Sequence, residues 1–456
     1  MKHHIKQSIQ VIAILLTFFL LSSCKKFLDE KPDKKLVVPS TLRDLQAILD
    51  YSAFMSTLEP TAGEVSTDDY YLPTSTWLSS LKESERRTYT WEKDYIFETN
   101  TNDWSNAYRK VYYANTVLET IQTIERNASN QAEWDNIKGQ ALMIRARTFM
   151  QVVELWSPAY VPASAGADMG IPLRLSTDFT ETSVRPSVQE TYDRILMDLN
   201  AAVPLLPVTG IHPMRASKTA TYAHLARTYL AMRNYSKAGL YADSSLRLNS
   251  NLLDYNTLSA SATYPIPQFN TEILFYGSGY QIPLYRTIAK VDTTLYLSYA
   301  ANDCRKTILF TTNTDGSIAF KGSYDGAGDG QFFGIANDEV FLIRAEAYAR
   351  AGNTAAALTD LNTLLQKRMK TGTFIPVTAT NSIDALNKIL LERRKELPFR
   401  GLRWVDIKRL NKEGAGITLK RIVNNQTYIL PPNDLRYALP IPEAVISISG
   451  MPQNPR

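Results

Sequence analysis

Two stretches of this chain place the same residue types at the same spacing, and that restricts the fold more than any other feature. The first is Tyr222–Ala231 (YAHLARTYLA), a turn at Arg233-Asn234-Tyr235, then Lys237–Ala242 (KAGLYA). The second is Leu342–Ala349 (LIRAEAYA), a turn at Ala351-Gly352-Asn353, then Ala356–Leu361 (AALTDL). With Ala226 set against Ala345, Tyr229 falls on Tyr348 and Ala238 falls on Ala357. Small residues let two antiparallel helices approach closely, an aromatic fills the groove beside them, and Gly or Asn lets the chain leave the helix. Residues 103–125 and 133–156 show weaker versions, with apolar residues at i, i+3, i+4 spacing and the small-then-aromatic step again at Ala146 and Phe149. Residues 382–397 form one more amphipathic helix, with Leu386, Ile389, Leu390 and Leu397 on one face and Ser382 expected as its N-cap.

The pattern is similar to the tetratricopeptide signature. It predicts a mainly α protein: tetratricopeptide-like helix pairs forming a right-handed superhelical scaffold, with repeat helices at about 103–156, 187–247, 338–368 and 382–410. The repeats are not contiguous. An insert of about ninety residues, 248–337, separates them, rich in Thr, Asn, Gly and Tyr, with strand-like pieces at Glu272–Tyr276 and Lys306–Phe310. It holds eight of the 25 tyrosines, about twice their density elsewhere. Loops inserted at one side of a repeat scaffold commonly carry a binding surface.

The N-terminus places the chain at a membrane. Lys2, His3, His4 and Lys6 precede an apolar run, Val11–Leu21, broken only by Thr17. That run suits a secretory signal and is shorter than the ~20 residues of a spanning helix. It ends in Leu21-Ser22-Ser23-Cys24, which resembles a bacterial lipobox, so residues 1–23 read as a lipoprotein signal peptide and Cys24 as the acylated (palmitate-type) N-terminus. Each buried CH2 of an acyl chain contributes ~0.8 kcal/mol. Residues 24–40, charged and proline-bearing, read as a lipidated tether, and 41–456 as a single domain.

Removing the signal leaves 48 basic against 45 acidic side chains. That balance excludes a polyelectrolyte binder of nucleic acid. Only Cys304 remains besides Cys24, so no disulfide forms within the domain and a thiolate zinc site is excluded. His212, before Pro213, sits in a loop, and His224 lies inside an apolar helical stretch, read as a partly buried helix residue and not a general base. No cofactor and no metal are expected, and no spacing singles out a catalytic carboxylate pair.

Six motifs in order resemble one family, SusD/RagB. Cys24-Lys25-Lys26-Phe27-Leu28-Asp29-Glu30-Lys31-Pro32 is similar to the family's opening, and Ser66-Thr67-Asp68-Asp69-Tyr70-Tyr71 to its early acidic-aromatic segment. Ala141–Ala146 through Trp156, followed by Gly170-Ile171-Pro172-Leu173, resembles its arginine-bearing helix and G-I-P-L stretch. Asn302-Asp303-Cys304-Arg305 resembles its D-x-R segment. Glu392–Arg409 (ERRKELPFRGLRWVDIKR) resembles its E-R-R-x-E-x-x-x-E-G-x-R-x-x-D-L-x-R signature, departing at Arg400, where an acidic residue is common. Pro440-Ile441-Pro442 and Gln453-Asn454-Pro455 are similar to its closing motifs. Within the long motif, Arg393, Glu396, Arg403 and Asp406 alternate in sign between apolar residues, which predicts a partly buried ion network pinning the C-terminal segment to the repeats.

The resemblance implies a cell-surface lipoprotein of the outer membrane. It would bind a nutrient, most simply a glycan, and deliver it to a SusC-like TonB-dependent outer-membrane transporter, without catalysis. Loop aromatics near polar residues are the candidate ligand contacts: Tyr70, Tyr71 and Trp77 early, Tyr280, Tyr285 and Tyr324 in the insert, with Asp68 and Asp69 as acceptors for sugar hydroxyls. Gly322–Gly330 invites a metal-loop reading but lacks the acidic ladder and terminal Glu of an EF-hand, and is expected to be a glycine-rich loop. A protein-interaction scaffold of tetratricopeptide type and a glycan-active enzyme remain the alternatives.

Overall fold

The turn at Arg233 and the turn at Gly352 share one hydrogen-bond pattern. The computed structural model describes residues 38–326 and 328–456; the signal, Cys24 and most of the tether lie outside the described residues. Residues Thr41–Arg456 form one compact unit. Helices α1 (Asp103–Thr120), α2 (Gln131–Trp156), α3 (Val188–Ala202), α4 (Lys218–Ala231), α5 (Tyr235–Leu248), α6 (Asn337–Arg350), α7 (Thr354–Gln366), α8 (Ser382–Glu396) and α9 (Arg403–Asn411) form its frame. Between α4 and α5, Arg233 N–H donates to Leu230 O and Asn234 N–H to Tyr229 O; between α6 and α7, Gly352 N–H donates to Ala349 O and Asn353 N–H to Tyr348 O. Arg233 (φ 58°) and Gly352 (φ 81°) both take the left-handed conformation that ends a helix. Asn234 and Asn353 then cap the next helix through their side chains.

The helices pack as antiparallel neighbours: α1 on α2, α2 on α3, α4 on α5, α6 on α7 and α8. The α5–α6 contact bridges the whole insert. A Cβ on Gly239 would meet the Ala347 Cβ at 2.8 Å, so α5 and α6 approach this closely only because Gly239 has none. Asn337 closes the excursion, donating to Asn249 Oδ1 (3.0 Å) and Asn251 O (2.9 Å). Near the α8 start, Asn381 is the N-cap, accepting from Ile383 and Asp384 N–H; the expected cap Ser382 is the first helical residue.

The insert forms short antiparallel ladders. Ile273–Phe275 pairs with Ile335–Ala336, Ser278–Gly279 with Gln331–Phe332, and Phe310–Thr312 with Ile318–Phe320. The strand expected over Lys306–Phe310 begins only at Phe310. Residues Arg305–Ile308 are a helical turn, because Asp303 Oδ1 accepts from Arg305 N–H and Cys304 O from Ile308 N–H.

Charge is buried where these parts meet. Arg305 is fully enclosed and donates to Asp303 (2.7 Å), Glu392 (2.7 Å) and Glu396 (2.9 Å). Arg368 donates to the other oxygen of Glu396 (2.7 Å), to Glu272 (2.7 Å) and to Leu253 O (2.6 Å). Glu396 therefore ties the insert to α8 and to the end of α7. Arg393 and Arg409 share Asp406 (2.8 Å each), and Arg409 continues to Glu346 on α6 (2.6 Å). On the other side of the frame, Arg145 on α2 grips Asp198 on α3 with two hydrogen bonds (2.8 and 2.9 Å) and Asn115 on α1 (2.9 Å).

Breaking a buried pair leaves an uncompensated charge. Glu396→Ala is expected to lower stability by ~3–5 kcal/mol, read as a lower midpoint in chemical denaturation. Arg126→Ala, which removes an exposed partner of Asp135, is expected to leave the midpoint unchanged.

Candidate functional site

Three segments remote in sequence meet beside the helices: residues 64–89, 278–292 and 325–332. The first two join as a two-rung antiparallel bridge, Tyr70 opposite Val291 and Tyr71 opposite Lys290, extended by Asp292 N–H donating to Asp69 O (2.8 Å). The second and third join through the Ser278–Phe332 pairing, and Asp329 accepts from Arg286 N–H (3.2 Å). Gln281 donates to Glu85 (3.2 Å), tying the turn Ile282–Leu284 to the helix Glu83–Tyr89.

Strand alternation divides the two early tyrosines. Tyr71 is 43% exposed, whereas Tyr70 is buried, with its hydroxyl donating to Val65 O (2.8 Å) and its ring against Tyr89 and Phe399. Tyr280 is also 43% exposed. Trp77 and Tyr285 are half-buried, and the Arg86 guanidinium lies over the Trp77 ring at 5.9 Å. At Gly330 a Cβ would stand 2.3 Å from Asp325 Oδ2 and 2.9 Å from Tyr280 Cε1; its absence lets those two groups converge. Burial pushes both phenols up, with Asp325 adding to the effect at Tyr280 and Asp329 at Tyr285. Exposed aromatic faces thus stand among Glu85, Gln281, Arg286, Lys290 and Asp329. A polar cavity of about 160 Å³ opens beside Glu85 and Gln281 and reaches Ser84, Thr88 and Asp103.

Four of the eight candidate residues are interior or already engaged, which corrects the sequence expectation. Tyr324 is buried; its hydroxyl donates to Glu272 (2.7 Å) and the Arg400 guanidinium covers its ring at 4.5 Å. Tyr70 is enclosed as described. Asp69 is buried against Arg394 (3.5 Å), and Asp68 is clasped by Arg403 (2.7 and 2.9 Å). These partners lie more than 300 positions away, so the local sequence gives no sign of them. Glu85, Gln281 and Asp329, which join these segments, carry no local signal that distinguishes them from other polar loop residues.

Three roomier cavities lie elsewhere. One, of about 880 Å³ and wide open, is bounded by Tyr160, Met232, Tyr235, Leu240, Tyr348 and Arg350; a second, of about 360 Å³, by Val161, Met169, Lys408, Asn433 and Tyr437; the third, of about 310 Å³, by Tyr108, Tyr112, Arg174 and Phe179. Their polar side chains are largely spent on the protein itself: Lys408 on Glu154 O and Ser157 O, Arg174 on Glu181 O and Asp178 O. Among the described residues no group of three or more His, Cys, Asp or Glu side chains is placed to hold a metal ion, and no helix is long and apolar enough to cross a membrane. His224 is wholly enclosed, and burial holds its imidazole well below the usual range, so it stays neutral.

Beside the aromatics lies a carboxyl cluster whose members separate in acidity. Burial, with Asp69 alongside, pushes Glu64 up to about 8. Burial also raises Asp69, to about 6, against the pull of Arg394. At Asp68 the cost of burial is outweighed by Arg403 and then Arg394, which bring it down to about 2. The folded chain therefore holds a proton at Glu64 that the unfolded chain releases above about 4.5. Its contribution to stability is complete below that pH and is lost as the pH rises through about 8. Glu64→Gln is expected to shrink the fall in thermal midpoint between about pH 5 and 8.5; an equal fall in the variant contradicts this assignment.

The comparisons with known proteins agree on one family. Residues 26–230 match a SusD-like family described as "Starch-binding associating with outer membrane", and residues 338–456 match the SusD family. A relative from Formosa agariphila named SusD-like protein P2 is 26% identical, covering 77% of this chain and 79% of its own. A putative sugar binding protein from Bacteroides vulgatus superposes with a TM-score of 0.73 at 21% identity, covering 92% of this chain and 99% of that one. A SusD superfamily protein from Bacteroides thetaiotaomicron gives 0.73 at 22% identity, covering 91% and 100%. Two family matches that flank the insert, and a shared fold across it, lead to one conclusion: the chain belongs to the SusD/RagB family.

Proposed function

We propose that this chain is a lipoprotein of the outer cell surface that binds a glycan and passes it to a SusC-like TonB-dependent transporter. The observation that carries the reading is that the segment bearing Tyr71, Trp77 and Glu85, the segment bearing Tyr280, Gln281 and Tyr285, and the segment bearing Asp329 are joined to one another. Sugar rings stack their C–H faces on such aromatics while their hydroxyls need carboxylate and amide partners. Binding without catalysis suits a surface of this kind. The helix hairpins are read as a tetratricopeptide-like, right-handed superhelical frame, spanning residues 41–456 as one domain behind a signal (1–23) and a tether (24–40) acylated at Cys24. The names of similar structures, among them a carbohydrate binding protein from Bacteroides vulgatus, support the glycan class.

Trp77→Ala and Tyr285→Ala are each expected to weaken glycan binding about tenfold, or ~1.4 kcal/mol, in calorimetric titration. Tyr112→Ala, which removes an exposed tyrosine of α1, is expected to leave affinity unchanged. Failure of the intact protein to bind any member of a broad oligosaccharide panel sinks the glycan reading. Cys24→Ala is expected to move the protein from the membrane fraction to the soluble fraction; retention at the membrane refutes the anchor.

A further inference from the structure

Beyond its own turns, Trp91 Nε1–H donating to Ser66 O (3.0 Å) and Asp292 N–H donating to Asp69 O (2.8 Å), the segment just before the Tyr70–Tyr71 strand is gripped by side chains and backbone from the far end of the chain. Arg403 donates twice to the Asp68 carboxylate, at 2.7 and 2.9 Å. Arg394 reaches Asp68 O (3.2 Å), the Asp68 carboxylate (3.1 Å) and Asp69 (3.5 Å). Arg421 donates to Val65 O (2.8 Å) and Thr67 O (2.7 Å), and its guanidinium lies over Tyr89 at 3.5 Å. Gly401 N–H donates to Glu64 (2.9 Å).

The aromatic segment itself has much less to hold it. Tyr71 and Leu78 are exposed, the strand has two rungs, and the helix Thr74–Ser80 buries no residue fully. Its remaining ties are few: Leu72 N–H donates to the Tyr89 hydroxyl (2.8 Å), Asn424 N–H to Thr74 Oγ1 (2.9 Å), and Arg86 to Leu78 O (3.2 Å) and Leu81 O (2.9 Å). Its main charged anchorage is at residues 66–69, where three arginines converge. A planar guanidinium gripping a carboxylate with two parallel bonds fixes direction as well as distance, which an ammonium does not.

Resting on the glycan-binding reading above, we propose that Arg403 and Arg394 are positioning residues of that surface: their hold on Asp68 and Asp69 sets Tyr71 and Trp77 in register with Tyr280 and Tyr285. Neither arginine is among the residues assigned to touch the glycan. They act through the segment they anchor, so the aromatic surface is completed only when the C-terminal signature Glu392–Arg409 is docked.

Two readouts on the full mature chain test this. Hydrogen–deuterium exchange follows the anchor with no ligand present, and titration with the best-binding oligosaccharide of the panel follows the surface. Asp68→Asn and Arg403→Gln are expected to speed exchange across residues 66–80 at least tenfold, leave α4 and α6 protected as before, and weaken glycan binding about tenfold. Arg403→Lys is expected to fall between these and the parent in both readouts. Asp68→Asn removes a partly exposed carboxylate, so it keeps the test open if Arg403→Gln fails to fold. Unchanged exchange across 66–80 overturns the proposal, and so does faster exchange with unaltered affinity. If the parent binds no glycan, the binding reading falls, and the exchange data alone decide for or against the anchor.

Discussion

Everything in this fold is arranged around carboxylates shared between buried arginines. Glu396 takes one guanidinium on each oxygen, Arg305 from the insert and Arg368 from the end of α7. Two cations brought out of water carry a large desolvation cost, which is offset only when every donor finds an acceptor at good geometry. Here Asp303, Glu392, Glu272 and Leu253 O complete the set. The insert has only short ladders, and its apolar cluster runs on into Val65, Tyr70, Leu72, Tyr89 and Phe399; these arginines add direction to that packing. The early loop is placed in the same way by Arg403 and Arg394, and the helix frame by Arg145 and Arg409.

The helices were legible because their periodicity and caps are local. Ala226, Tyr229 and Ala238, set against Ala345, Tyr348 and Ala357, already describe a hairpin, and the two turns share hydrogen bonds although one uses Arg233 and the other Gly352. A cap can be misread by one residue, as at Asn381, because adjacent Asn and Ser compete for one role. The insert was harder. Its strands are two or three residues long, and two of its three ladders pair residues far apart in the chain, so alternation has no length over which to declare itself. The helical turn Arg305–Ile308 depends on Asp303 and Cys304 accepting from it, a contact that propensity does not report.

The convergence of the two candidate segments was legible in outline and only partly in its residues. Aromatics beside polar groups in two distant segments do converge, since Tyr71 pairs with Lys290 and Glu85 meets Gln281. Which face of the strand turns outward was not written in Tyr70-Tyr71, where both phases look alike. Asp68 and Asp69 read as free acceptors because their arginines lie in another part of the sequence. The alternating charges of the C-terminal signature did announce a buried network. Its reach to Asp68, Arg305 and Arg368 emerges only from the folded chain.

The clasp of Asn337 on Asn249 and Asn251 means that the long excursion leaves and re-enters the frame at a single point. Closing a loop costs free energy that grows only with the logarithm of its length. A longer or shorter excursion at this junction would therefore leave α5 seated on α6, with Gly239 still against Ala347. At this junction the spacing of the hairpins is thus set by Gly239 and Ala347 and not by the length of the excursion, whose own seat on the frame lies farther along, at Arg305 and Arg368.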